Sequence, residues 1–218
     1  RFSGATASLI FYGSFLALFS WQVNEHLAED LVVLKSPTVL QDMDLQAWWE
    51  SEWRELPMER TKLSSVASRR FNAQVAVDPE ELSGLLQQSG WEPVPDTDWR
   101  WIIQALNPKP DQASLPLLGR AFQGRSEALM LQKNLETEGR LLTIRLWDSG
   151  FRLLPGQQVL YLGQLSEEVL VQRLGLFSYW RSSPVGPHRF APLREPLSEL
   201  QQKRVDDRLL LIRSVQAD

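Results

Sequence analysis

The sequence of 218 residues contains no cysteine and two histidines, His26 and His188. Without cysteine, disulfide bonds, thiolate zinc sites and a cysteine nucleophile are excluded. The histidines lie far apart in sequence, so they do not predict a metal site, and no pattern implies a cofactor. Metal and thiol chemistry are therefore not expected from this chain.

Common catalytic and phosphate-binding motifs are also absent. The sequence contains neither G-x-S-x-G nor H-E-x-x-H, and neither G-x-x-x-x-G-K-[ST] nor G-x-G-x-x-G. The acidic pair Asp206-Asp207 has no partner base and is typical of a solvated surface. No catalytic residue is predicted. The net charge of −4 argues against nucleic-acid binding, which needs a basic surface.

Residues 2–24 contain no charged side chain. A helix of that length crosses a hydrocarbon core of about 30 Å, so the stretch predicts a transmembrane helix. Because the chain begins with Arg1, we expect a fragment whose first 24 residues end a membrane domain. Arg1 before the span favours a cytoplasmic N-terminal end, with the remaining chain outside. The alternative is a buried helix of a soluble protein.

Residues 25–70 are predicted to form a tryptophan-rich helical linker. Asp44 can cap a helix that runs to about residue 55. Its apolar side chains share one face and are Leu45, Trp48, Trp49, Trp53 and Leu56. Two interpretations stay open, which are packing on the following domain and lying on lipid headgroups. The first is favoured because anionic lipid would repel the acidic polar face.

Residues 71–218 predict an α+β domain with a mixed, largely antiparallel sheet and flanking helices. A strand at 71–77 precedes a helix that starts at Asp78-Pro79, and a strand at 91–94 follows, which indicates a parallel, right-handed crossover. Another helix is predicted at 99–106. The state of residues 197–215 stays open between helix and strand.

The pattern of alternating side chains indicates a central hairpin of strands 128–134 and 140–147. Further strands are predicted at 157–165, 169–174 and 176–181, with a turn at 151–156. Residues 182–196 hold four prolines and are expected to be irregular.

Polar residues on the hairpin and just before it form the candidate binding site. The ligand-binding candidates are Arg120, Gln132, Lys133 and Arg145. If Gln132 and Arg145 share a sheet face, Arg145 could offer a bidentate fork to phosphate or carboxylate, with Lys133 as a nearby point charge. These four belong to a basic polar set around the hairpin that also contains Arg125 and Arg140. Alternatively, this basic set lies on the solvent side of an antiparallel sheet and is paired with Glu136, Glu138 and Asp148.

Several short motifs occur in the order found in one known family. They are Leu115-Pro116-Leu117-Leu118-Gly119-Arg120, Leu131-Gln132-Lys133, Arg145-Leu146-Trp147 and, upstream, Phe71-Asn72-Ala73-Gln74 and Ser89-Gly90-Trp91. Over residues 49–163 the chain thus resembles the LssY C-terminal-like domain. The resemblance implies a domain of undefined activity, commonly appended after the membrane helices of type-2 phosphatidic-acid-phosphatase-like or DedA-like envelope proteins.

The phosphatase motifs K-x6-R-P, P-S-G-H and S-R-x5-H-x3-D are absent, so phosphatase catalysis is not carried over to this fragment, although the full-length protein could be such an enzyme. The resemblance and the apolar segment together lead us to expect an accessory domain anchored in the bacterial inner membrane and facing the periplasm. The bilayer would contact residues 2–24, and other membrane helices or envelope subunits would be partners. The alternatives are a hydrolase that uses carboxylates and His188, and a structural domain that assembles through tryptophan-rich faces.

Overall fold

A computed structural model describes residues 14, 40–60, 70–94, 115, 117–135, 137, 139–173, 177–184, 193, 195–205 and 209–215. The chain divides into two compact units, residues 1–38 and 39–218. The predicted membrane helix at 2–24, apart from Ser14, and the predicted helix at 99–106 lie outside the described residues. Across the described part of the chain, no helix combines the length and apolar character that a membrane crossing requires.

The described residues of the second unit form a mixed sheet with few helices. The strands are β1 (Gln41–Asp44), β2 (Ala73–Ala76), β3 (Glu92–Pro93), β4 (Leu129–Asn134), β5 (Arg140–Leu154), β6 (Gln158–Arg173), β7 (Phe177–Pro184), β8 (Gln201–Val205) and β9 (Leu209–Arg213). The helices are α1 (Leu45–Glu50), a short 3-10 helix (Glu52–Arg54) and α2 (Pro79–Gln87). The mixed sheet predicted from the sequence is confirmed, and because the described residues form few helices the fold is sheet-rich.

The strand order is β3-β4-β5-β6-β2-β9-β8. Strand β1 pairs in parallel with the end of β5, and β7 pairs with the second half of β6. The pair β2–β9 is also parallel, whereas the other pairs are antiparallel. The undecided residues 197–215 thus contain a β8–β9 hairpin.

The β5–β6 hairpin contains the two longest of the described strands. Strand β5 continues past residue 147 to Leu154, so the turn predicted at 151–156 is wrong for residues 151–154. A β-bulge between Asp148 and Phe151 allows this continuation. Gly150 adopts a φ of 84° there, and its amide donates to Asp148 Oδ1 at 2.7 Å. Likewise β6 is one strand where two were predicted.

Helix α2 follows the predicted local chemistry. Asp78 caps it, accepting the amide of Glu80 at 2.8 Å, and Pro79 occupies the first turn. Its buried face carries Leu82 and Leu86. The strands on either side, β2 and β3, run in the same direction, because four antiparallel pairings separate them. The predicted parallel crossover is confirmed in direction, although three strands lie between its ends.

Each face of the sheet carries its own core. The first core includes α2 and the side chains of Leu142, Ile144 and Leu146, together with residues near the C-terminal end of the chain. The second core includes Trp147, Leu162 and the tryptophans of the N-terminal segment. Because both sides are packed, successive residues of β9 are buried on opposite faces.

The tryptophan-rich segment packs on the second core. Trp48 and Trp53 are 0% and 3% exposed, which confirms the favoured interpretation for these two side chains. The amide of Gln74 holds them, accepting Trp48 Nε1–H at 2.8 Å and donating to the Trp53 carbonyl at 2.9 Å. The half-buried Trp49 contacts the guanidinium of Arg213, 4.4 Å from the ring centroid. Residues 41–56 therefore contribute a strand and core side chains to the sheet unit.

Candidate functional site

On the face that carries the second core, the apolar surface of the β5–β6 hairpin gives way to polar residues. Trp147 pairs with Leu162, and the next same-face pair is Arg145 with Gln164. The pair after that is Thr143 with Ser166. The side chains that gather here are called the polar cluster and comprise Arg120, Glu127, Thr143, Arg145, Ser166, Glu168 and Ser182.

Arg145 is wholly buried, with 0% of its surface exposed. Its Nη1 donates to Glu127 Oε1 at 2.8 Å and to the Leu118 carbonyl at 3.0 Å. Its Nε and Nη2 atoms are buried as well, and they have no hydrogen-bond partner among the described residues. One edge of the guanidinium is therefore used by the protein and the adjacent edge is not.

Glu168 is likewise 0% exposed, and its two oxygens differ in their contacts. Oε1 accepts from Thr143 Oγ1 at 3.3 Å, Ser166 Oγ at 3.2 Å and Arg120 Nη2 at 3.4 Å. Ser182 Oγ donates to the same oxygen. Oε2 is buried with no hydrogen-bond partner among the residues that the structure describes.

Residues 117–127, here called the covering segment, lie over this face. The Arg120 amide donates to Glu127 Oε1 at 2.6 Å, and the Arg120 carbonyl accepts Trp147 Nε1–H at 2.9 Å. Phe122 is 1% exposed and packs edge-on against Phe71, with 5.1 Å between centroids. These contacts fix the covering segment to the sheet above the polar cluster.

The structure brings three of the four predicted ligand-binding residues together. The backbone amide of Arg120 and Nη1 of Arg145 both donate to Glu127 Oε1, and Gln132 lies opposite Thr143 on the Arg145 face. Lys133 was expected beside Arg145, and that placement is wrong. It points to the other face, opposite Leu142, where Nζ donates to the Ser89 carbonyl at 2.7 Å.

The alternative that the basic set pairs with nearby acids holds for one residue described here. Arg125 Nη1 lies 3.5 Å from Asp148 Oδ1. Arg140 instead pairs with Glu167 at 3.1 Å, and Arg145 pairs with Glu127. Glu136, Glu138 and the histidines on which a hydrolase would depend lie outside the described residues.

The sequence prediction missed Glu127, Thr143, Ser166, Glu168 and Ser182. Ser166-Glu167-Glu168 lies between the two strands predicted at 157–165 and 169–174. This polar interruption of three residues between Leu165 and Val169 was the one indication that a strand here buries charge.

No curated protein and no solved structure matches the chain. The family described as LssY C-terminus matches residues 53–175, which is more than half of the 218 residues. The match confirms the resemblance on motifs between residues 49 and 163, and it includes the polar cluster except Ser182. This chain belongs to the LssY C-terminus family.

Proposed function

We propose that the chain is a binding domain that recognises an anionic group, phosphate or carboxylate, through Arg145. The observation that carries this proposal is the buried Nε and Nη2 pair without a protein acceptor. These two N–H groups are parallel and match two oxygens of an oxyanion in a bidentate contact.

The cost of the arrangement favours binding over a purely structural role. A buried donor without an acceptor costs about 1–3 kcal/mol, and more when the donor is charged. Arg145 carries two such donors on one edge of its guanidinium. An oxyanion that accepts from both atoms removes this cost.

Neighbouring residues add to the same site. The guanidinium of Arg120 lies next to Glu168 and Ser182, and its side chain is 15% exposed. It places a second guanidinium in the polar cluster, where Glu127 and Glu168 balance the charges of the two arginines. Half-buried Gln132 flanks Arg145 diagonally across β4 and β5 and supplies amide groups that can orient a ligand.

The setting that we propose is an accessory domain anchored in the inner membrane of a bacterial envelope, with the sheet domain on the periplasmic side. Its support is the charge-free stretch at residues 2–24. The resemblance described above adds to it, since it implies a domain of the kind commonly appended to phosphatidic-acid-phosphatase-like or DedA-like membrane domains. In that setting the bilayer, other membrane helices and envelope subunits are the partners.

Two other functions receive less support. A domain that assembles through tryptophan-rich faces needs an exposed aromatic patch, but the exposed large hydrophobic side chains within the described ranges are Leu118 and Val215. A hydrolase centred on His188 has no described geometry to support it.

Calorimetric titration of the chain with inorganic phosphate and with acetate tests the proposal. We expect one of the two anions to bind, and Arg145→Lys to weaken binding at least tenfold, because lysine keeps the charge but lacks the paired N–H edge. Lys133→Gln is the matched control on the opposite face and should bind like the parent. No binding by the parent chain, or equal binding by Arg145→Lys, would overturn the proposal.

A further inference from the structure

We infer that the ligand of this site is a zwitterion, an oxyanion linked by a short chain to an ammonium group, and that Glu168 Oε2 receives the ammonium. This inference rests on the proposed function of Arg145. It adds the charge and hydrogen-bonding character of the other end of the ligand.

The two carboxylate oxygens of Glu168 have very different surroundings. The hydroxyls of Thr143, Ser166 and Ser182 and the guanidinium of Arg120 all lie within hydrogen-bond distance of Oε1, and the Thr143 and Ser166 oxygens also lie 2.8 Å from each other. The equally buried Oε2 has no such contact within the described part of the chain. A carboxylate oxygen normally accepts about two hydrogen bonds, so the protein has crowded one oxygen and left the other available. The available oxygen requires a donor.

The two unused groups belong to one site. Thr143 lies two residues from Arg145 on the same face of β5, and its hydroxyl donates to Glu168. Same-face neighbours along a strand are about 7 Å apart, and Glu168 Oε1 lies 3.3 Å from the hydroxyl of Thr143, the same-face neighbour of Arg145. A small ligand that reaches both side chains therefore needs only a short linker between its oxyanion and its donor.

Charge balance favours a donor that is positively charged. The polar cluster contains two arginines, Arg120 and Arg145, and two glutamates, Glu127 and Glu168, so it is formally neutral. A phosphate dianion would bring uncompensated negative charge into a buried, neutral site, which is costly. A phosphate ester that also carries an ammonium adds little net charge and supplies a partner to each unused edge.

The first experiment compares small ligands by titration calorimetry on the full chain. The probes are O-phosphoethanolamine, phosphocholine and methyl phosphate, which share the oxyanion. Phosphocholine keeps the positive charge but has no N–H group, and methyl phosphate has no cation. We expect phosphoethanolamine to bind at least tenfold tighter than either, as one charged hydrogen bond implies.

The second experiment changes the acceptor. Glu168→Gln places an amide N–H where Oε2 lies. Phosphoethanolamine should then bind this variant no more tightly than phosphocholine or methyl phosphate does. Glu167→Gln, on the neighbouring residue and the opposite face, should keep it. If phosphocholine or methyl phosphate binds the parent chain as tightly as phosphoethanolamine, and Arg145 is still required, the inference fails while the proposed function stands. If none of these probes binds, the inference fails, and the proposed function fails with it unless inorganic phosphate or acetate binds through Arg145.

A vesicle assay distinguishes a lipid headgroup from a soluble ester. Vesicles of phosphatidylcholine with and without phosphatidylethanolamine are compared for the parent chain and Glu168→Gln, so that background adsorption cancels. Binding that requires phosphatidylethanolamine and Glu168 supports a headgroup ligand. Binding of free phosphoethanolamine without this vesicle effect supports a soluble ligand. A vesicle effect equal in both chains contradicts a role for Glu168.

Discussion

Arg145 and Glu127 form an ion pair of 2.8 Å in which the arginine side chain is 0% exposed and the glutamate side chain 9% exposed. The pair joins the covering segment to the centre of β5. Removing one member leaves the other as a buried, uncompensated charge, whereas removing both charges does not.

Arg145→Met is therefore expected to lower the free energy of unfolding by about 3–5 kcal/mol, and the double change Arg145→Met with Glu127→Gln by much less. The glutamine keeps an oxygen that can accept from the Arg120 amide. Urea unfolding of the two single variants and the double variant measures the difference. A double variant as unstable as the sum of the single changes would contradict this account of the pair.

Gly163 lies where β6 approaches its neighbours most closely. A Cβ on this residue would lie 2.8 Å from the Cβ of Ala73 and 3.1 Å from a methyl of Leu146. Gly163→Ala should lower the free energy of unfolding by about 1–3 kcal/mol in urea, because the strands must separate. The control is Gly84→Ala in α2, where no atom lies within 4 Å, and it should stabilise by about 0.5–1 kcal/mol.

The buried amide of Gln74 links Trp48 and Trp53 to β2. Gln74→Leu would leave one donor and one acceptor buried without partners, so we expect a loss of about 2–5 kcal/mol in the free energy of unfolding. Trp48→Phe should cost less in the Gln74→Leu background than in the parent chain, since the acceptor of the Trp48 N–H is already lost. Gln87→Ala, at an exposed glutamine of α2, should change stability by no more than about 0.5 kcal/mol.

Tyr161 makes stability depend on alkaline pH. Burial raises its pKa, with Asp148 and then Asp78 adding to the effect. The unfolded chain therefore releases the proton first, at pH about 10, while the folded chain retains it. Stability is full below that pH and falls as pH rises toward the raised pKa of the folded state. Urea midpoints between pH 9 and 11 should fall less in Tyr161→Phe than in Tyr179→Phe. Equal slopes would contradict the assignment.

The folded unit should extend well beyond the region of the family match. That match ends at residue 175, but β9 pairs with β2 and its residues 209–212 are buried. A fragment of residues 39–175 would expose the edge of β2 and lose part of both cores. We expect it to lack a cooperative urea transition, whereas residues 39–215 should unfold cooperatively. A cooperative transition in the shorter fragment would show that β9 is dispensable.

Local chemistry was the reliable part of the sequence prediction. Asp78-Pro79 fixed the start of α2, and the alternation in residues 128–134 and 140–147 predicted the β4–β5 hairpin. Asp44 caps α1 by accepting the Ala47 amide at 2.8 Å, although the helix ends at Glu50. These features depend on neighbours within one turn, which the sequence displays directly.

Long-range pairing was the part that local patterns could not give. Glu168 is found in a strand because Arg120, 48 residues away, and three hydroxyls compensate its charge. Such compensation is invisible in the local sequence, where the same glutamate indicates a loop. The wrong prediction for Lys133 could have been avoided. Successive residues of a strand point to opposite faces of the sheet, so Lys133 cannot share a face with its neighbour Gln132.

Strand β9 also determines how the protein aggregates when it unfolds on heating. Its residues Leu209, Leu210, Leu211 and Ile212 are all buried and carry no charge, so neither face of the strand is adapted to water. Once β8 and β2 separate from it, this short aliphatic strand is suited to pairing with copies of itself. Heating should therefore end in precipitation, with an apparent midpoint that shifts with scan rate.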